Sequence, residues 1–163
     1  MLGATMSKSQ EHPLDTKIPP PVVLLLHMLV SFGLVQITGH FTMAESLKIG
    51  GTLVLSTIGA VVALAGVWAF RRHNTSVDPV HVDKVSTLVT GGIYHFTRNP
   101  MYVGLLCLLV AQNWYLASPA GALAVLSFIG YMTRFQIKPE ERFLLKAYGQ
   151  AYRDFLSTTR RWL

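Results

Sequence analysis

Three long runs without a single formal charge limit what this chain can become. Pro21 to Thr38 and Gly51 to Phe70 carry no Asp, Glu, Lys or Arg, and Met101 to Thr133 is a third such tract. A helix needs about 17–25 predominantly apolar residues to cross a hydrocarbon core. The first two runs each meet that length once. The third suffices for two short passes, and Asn113-Trp114 and Ser118-Pro119 interrupt its middle. The pattern predicts an all-α integral membrane fold with four transmembrane helices. They are 21–38, 51–70 and a helical hairpin of Met101–Tyr115 and Pro119–Phe135, with Ser118 as cap and Pro119 in the first turn of the last. A soluble bundle is the competing architecture, but its surface helices would show a polar face that these runs lack.

The placement of charge agrees with four crossings. Alternating passes put thirteen of the 14 Lys and Arg residues on one side, leaving only Lys48 on the other. The positive-inside rule makes the crowded side cytoplasmic, so both termini and the central loop face the cytoplasm, at the inner membrane if the cell is bacterial. The net charge of +6 is thereby assigned to a membrane surface, and no nucleic-acid partner is expected. Cys107 is the only cysteine and lies in an apolar run, which excludes internal disulfides and thiolate metal centres. Residues 1–20 read as a polar tail, mobile or interfacial, without the small-residue cleavage site of a secretory signal. Residues 21–163 read as one domain.

Within that frame a few residues stand out. His27 is the one ionisable group of the first helix and is expected as a neutral imidazole bonded to a neighbouring helix. Gly50, Gly51, Gly59 and Gly66 make the second helix a close-packing one. His73 and His81 lack a third ligand at helical spacing, so no metal is expected. Val85–Val89 is β-branched and expected to be extended, and Gly91-Gly92 turns the chain. Pro139 opens a last, amphipathic helix on which Phe143, Leu144, Ala147, Tyr148, Ala151, Tyr152 and Phe155 recur at helical spacing. At about 100° per residue, Glu140 falls in the middle of that apolar face and Glu141 near its edge. An inward carboxylate needs a partner or a ligand. Together with Tyr94, Arg98, Asn99 and Tyr102 before and at the start of the third helix, these residues predict a polar site at the cytoplasmic membrane boundary. No P-loop, G-x-G-x-x-G, HExxH or nucleophile-elbow pattern appears. Periodicity and charge leave the class of ligand open.

The run Gly92-Ile93-Tyr94-His95-Phe96-Thr97-Arg98-Asn99-Pro100-Met101-Tyr102 resembles the G-x-Y-x-x-x-R-[HN]-P-x-Y segment of integral-membrane methyltransferases. Isoprenylcysteine carboxyl methyltransferases and phospholipid N-methyltransferases are members. A second family block is matched by Glu140-Glu141, Leu144, Gly149 and Tyr152, and the closing Arg161-Trp162 also fits. The resemblance covers about residues 71–163 and implies S-adenosylmethionine as methyl donor on the cytoplasmic side. Its implied contacts are Ser86, Thr87, Leu88, Val89, Tyr94, Asn99, Pro100, Met101 and Tyr102, with Glu140 closing the site beside Glu141. In the isoprenylcysteine branch an arginine one turn before the acid meets the acceptor; here Gln136 stands there, with Arg134 two residues earlier. Arg98, Gln136 and Arg134 are therefore the candidate catalytic residues, Arg98 being alternatively an interface anchor. Carboxyl methylation is disfavoured by this change, and a lipophilic thiol, amine headgroup or hydroxyl is the expected acceptor. A sterol-reductase-like oxidoreductase using NADPH and a non-catalytic membrane scaffold are the competing functions. The oligomeric state is open.

Overall fold

A computed structural model of the chain describes residues 15–72 and 88–163. Among these residues the structure is all-helical. Helix α1 spans Pro20–Thr38, with proline at its start, where the missing N–H costs nothing. Helix α2 spans Glu45–Arg72 and begins six residues before the charge-free run. Glu45 at its first turn and Arg71-Arg72 at its last oppose the helix dipole favourably, and Glu45 reaches Lys48 at 3.5 Å. At 19 and 28 residues, α1 and α2 are the two described helices long and apolar enough to cross a membrane. Leu25, Leu29, Leu53 and Leu64 on their outer faces are more than half exposed, as lipid-facing side chains would be.

Helix α3, Pro100–Leu116, lies along α2. The glycines explain how closely. A Cβ added at Gly59 would lie 2.8 Å from Cys107 Cβ, and one at Gly104 would lie 2.6 Å from Ala63 Cβ. Cys107 is thus a packing residue at a backbone approach that only glycine permits. Gly104→Ala is expected to destabilise the protein by about 1–3 kcal/mol, read as an earlier melting transition in detergent. An unchanged transition would show that the two helices separate without cost.

Helix α1 is tied to α3 by polar as well as apolar groups. Ser31 donates to Asn113 Oδ1, and Gln112 Nε2 donates to the Met28 carbonyl at 2.9 Å. Leu24, Leu109, Phe128 and Met132 form the core between α1, α3 and α4. His27 differs from expectation: its Nδ1 bonds to Val23 O of its own helix at 2.8 Å, and its ring stands edge-on to Phe128.

The second half of the hairpin departs most from the expected single helix over Pro119–Phe135. Pro119 sits in the preceding turn, and α4 runs over Gly121–Tyr131. A π-turn, Met132–Ile137, then leads without a break into α5, Lys138–Tyr148. Pro139 supplies the physical reason. It has no N–H for the carbonyl four residues earlier, Phe135 O, and its ring crowds that carbonyl, so the helix widens rather than stops. Phe135 O instead accepts the Thr16 N–H at 2.8 Å. The expected single terminal helix is likewise two. Gly149, at φ +53°, breaks it into α5 and α6, Gln150–Thr158. Val85 to Thr87 lie outside the described residues, and Leu88 and Val89 have no regular structure. Residues 15–18 are packed against the π-turn and α5 rather than forming a free tail.

Candidate active site

A cavity of about 670 Å³, counting its open mouth, lies where the end of α2, the start of α3 and the α5–α6 pair converge. Phe70 of α2 and Tyr94 of a 3₁₀ turn, Gly92–His95, meet edge to face across 5.5 Å and form one wall. Helix α5 forms the opposite wall through Glu140, Leu144 and Tyr148, spaced four residues apart on one face. Tyr152 and Phe155 of α6 close the end. The lining is mainly apolar and aromatic, the usual character of a small-molecule pocket.

Glu140 is the polar centre of this cavity. It keeps an intermediate exposure while lining the space, and the Tyr102 hydroxyl donates to its Oε1. The π-turn and Pro139 set the phase that brings it there. Burial pushes its carboxyl up to about 7; the Tyr102 hydrogen bond works against that rise and the charge of Glu141 adds to it. Burial, and then the charge of Glu140, hold the Tyr94 phenol well above its ordinary value, so it stays protonated. The hydroxyls of Tyr94 and Tyr148 and the Nε of Arg98 are buried without a hydrogen-bond partner. All three residues line the cavity, so unused donors surround it. Such donors are costly unless something polar completes them.

Glu141, next in sequence, does something different. Its Oε1 accepts from Arg98 Nη2 at 2.8 Å and from Arg161 Nε at 3.0 Å, and its Oε2 accepts from Arg161 Nη2 at 2.7 Å. Burial would raise its pKa, but the bonds from Arg161 and Arg98 outweigh that and leave it below the ordinary carboxylate value. Arg98 also donates through Nη1 to the carbonyls of Leu156 and Thr159, and its backbone N–H reaches Arg160 O at 2.9 Å. Asn99 Nδ2 donates to Arg161 O at 2.8 Å, and Trp162 Nε1 donates to Thr133 Oγ1 at 3.1 Å. The last residues of the chain are thereby latched across the turn that precedes α3.

Nine of the fourteen residues singled out from the sequence line this cavity: Leu88, Val89, Tyr94, Arg98, Asn99, Met101, Tyr102, Glu140 and Glu141. Pro100 does not; it is buried against α2, where a Cβ at Gly66 would come within 3.0 Å of its ring. Ser86 and Thr87 lie outside the described residues. Two of the three candidate catalytic residues are turned away from the cavity. Gln136 is 2% exposed and its Nε2 donates to Ile18 O at 2.6 Å, while Arg134 lies 3.6 Å from Asp15. The widened turn, invisible to a 3.6-residue period, rotates both out of register with Glu140. Sequence reasoning passed over Tyr148 as a cavity residue, although its spacing of two helical turns from Glu140 was a usable signal. Among the described residues no cluster of three or more His, Cys, Asp or Glu side chains has metal-binding geometry.

The family described as phospholipid methyltransferase matches residues 47–151, which include the end of α2, the turn before α3 and Glu140-Glu141. A probable protein-S-isoprenylcysteine O-methyltransferase of Oryza sativa subsp. indica is 29% identical over 103 residues, covering 63% of this chain and 54% of the relative. Protein-S-isoprenylcysteine O-methyltransferase A of Arabidopsis thaliana is 26% identical over 103 residues, covering 63% and 52%. An uncharacterized protein of Haemophilus influenzae is 38% identical over 63 residues, covering 39% of this chain and all of its own length. The chain spans about half the length of the plant relatives it matches. No solved structure matches it. With a match that runs through both walls of the cavity and well over half of its length, the chain belongs to the phospholipid methyltransferase family.

Proposed function

We propose that this chain is a membrane-embedded, S-adenosylmethionine-dependent methyltransferase acting on a lipophilic small molecule or lipid. Four crossings are part of the proposal: α1, α2, α3, and α4 with its π-turn, with both termini and the cavity on the cytoplasmic side. The observation that carries the functional reading is the charge balance of the cavity. Its described charged residues are Arg98, Glu140 and Glu141, and Arg98 and Glu141 are paired to each other. Glu140 is left as an unneutralised carboxylate among aromatic walls. A ligand with an aromatic nucleoside part and a positive charge complements that arrangement. The residues fit the donor: Glu140 would hold its cationic amino-acid end, and the unpartnered Tyr94 and Tyr148 hydroxyls would meet its polar atoms.

When bound, the donor supplies a methyl group on a sulfonium, to be taken by an acceptor lone pair in line with the breaking carbon–sulfur bond. The chain's part is to align and to exclude water. Tyr102 fixes the rotamer of Glu140 through its hydroxyl, and the Phe70–Tyr94 pair and Leu144 keep the space dry, so orientation can supply much of the rate. The acceptor follows from the same charges. Among the described residues the cavity offers no guanidinium free of a carboxylate, and Gln136 and Arg134 are engaged elsewhere. An acceptor carboxylate would lie near Glu140 without a counter-ion, which favours a thiol, amine or hydroxyl. Titration calorimetry in detergent with S-adenosylmethionine, S-adenosylhomocysteine and NADPH tests the donor. Binding of the first two supports the assignment, and binding of NADPH alone would overturn it. Mass spectrometry of lipids and small thiols after incubation with labelled donor identifies the acceptor.

A pH dependence follows. The cation binds the ionised form of Glu140, whose pKa in the empty cavity is raised to about 7. Donor affinity should therefore rise on the order of tenfold between about pH 5.5 and 7. Above about pH 8 the donor's own α-amino group loses its proton and the gain stops. In Glu140→Gln the acidic limb should vanish; a limb that persists there would assign the titration to another group.

A further inference from the structure

Residues 15–18 lie outside the span matched by the family, yet every described polar contact they make to the body of the protein falls on the π-turn or on α5 just after it. The Thr16 N–H donates to the carbonyl of Phe135, four residues before Pro139, at 2.8 Å. Gln136 Nε2 returns a bond to Ile18 O at 2.6 Å. Asp15 pairs with Arg142 at 2.7 Å and with Arg134 at 3.6 Å, one arginine beyond the turn and one within it. Ile18 also packs into the core that holds Tyr102, the hydroxyl donor to Glu140.

We infer that segment 15–18 is a positioning element for the donor cavity: by satisfying and clamping the π-turn it sets the helical phase at which Glu140 faces Tyr102, and Asp15 and Gln136 are its positioning residues. This rests on the donor assignment proposed above. A π-turn differs from an α-turn by one extra residue, which rotates everything beyond it by about 100°. Without the strap the turn loses the Thr16 donor to Phe135 O, the Ile18 acceptor of the buried Gln136 amide and the Asp15 counter-ion of Arg134. Relaxation toward an α-turn or a break would swing Glu140 out of the cavity and into water. The assignment also accounts for Gln136, which is 2% exposed and away from the cavity, and for Asp15, whose carboxylate is 9% exposed yet carries two arginines.

The test uses the full chain in detergent with S-adenosylmethionine as probe, measuring affinity as a function of pH. The acidic midpoint reports Glu140, whose titratable and charged neighbours are Tyr94, Arg98, Tyr102, Glu141, Tyr148 and Tyr152. Strap substitution touches none of these six. Gln136→Leu and Asp15→Asn should each weaken binding at neutral pH about tenfold and move the midpoint at least half a unit lower, as Glu140 gains water. Asp15→Arg combined with Arg142→Asp, which restores one pair with reversed polarity, should recover most of the affinity lost in Asp15→Arg alone. A uniform loss with the midpoint unmoved, a lower melting temperature with unchanged binding, or no rescue would overturn the inference. If Gln136→Leu does not fold, Asp15→Asn and the charge swap still decide the matter. Absence of donor binding by the unsubstituted protein would sink the donor assignment instead, and the two failures are therefore distinct.

Discussion

Glu140→Gln should reduce affinity for S-adenosylmethionine by about 10- to 100-fold while leaving the protein folded. A hydrogen bond to a charged partner contributes about 1.5–3 kcal/mol, and each 1.4 kcal/mol is tenfold in a dissociation constant. Glutamine keeps the shape and can still accept from the Tyr102 hydroxyl, so packing around α3 and α5 is preserved. Stability should stay level or rise, because the cavity holds the Glu140 carboxylate against a burial cost strong enough to raise its pKa to about 7. The useful comparison is with S-adenosylhomocysteine, which retains the amino-acid end but lacks the sulfonium. If Glu140 meets the ammonium, the substitution weakens both ligands equally. A loss confined to S-adenosylmethionine would place the carboxylate beside the sulfonium. Full affinity for both would remove Glu140 from the donor site and with it the charge argument for the enzyme.

What could be read from the sequence divides along physical lines. The apolar runs of α1 and α2 were legible because exclusion of charge over a membrane's thickness is a composition effect that survives any detail of packing. The inward direction of Glu140 was legible because Leu144 and Tyr148 follow it one and two helical turns later on the same face. The partners of Glu141 were not. Arg98 lies 43 positions away and Arg161 lies 20, and no local period links them. The break at Gly149 was concealed because Tyr152 and Phe155 continue the apolar pattern by chance of rotation after a positive φ. The strap was missed for a related reason. Residues 15–18 are polar and short, and their contacts go to a backbone carbonyl, an amide and two arginines rather than to an apolar face. Pro139 was read as the start of an element, its commonest role. In the interior of a continuing helix the same residue withholds its N–H from the carbonyl four residues earlier, Phe135 O, which here accepts from Thr16.

Glu141→Gln, one residue from Glu140, is expected to act on the fold rather than on the ligand. Its carboxylate is 14% exposed and faces Arg98 at 9% exposure, so removing the charge leaves a buried guanidinium with only carbonyl partners on that side. Breaking a fully buried pair costs about 3–5 kcal/mol, and the 35% exposure of Arg161 lets water take up part of the loss. A destabilisation of about 2–3 kcal/mol is therefore expected, seen as earlier thermal unfolding in detergent and as faster proteolysis after Thr159. The C-terminal residues should release first, because Arg98 and Asn99 hold the carbonyls of Thr159 and Arg161 from the turn that Glu141 braces. Donor affinity measured on the folded fraction should fall less than about threefold, since Glu141 is already neutralised by its two arginines. Arg161→Lys should give a weaker version of the same effect, as an ammonium cannot replace the two-point guanidinium contact. If Glu141→Gln instead matched Glu140→Gln in lost affinity and left unfolding untouched, the two carboxylates would have exchanged roles. The arginine latch would then be an incidental ion pair.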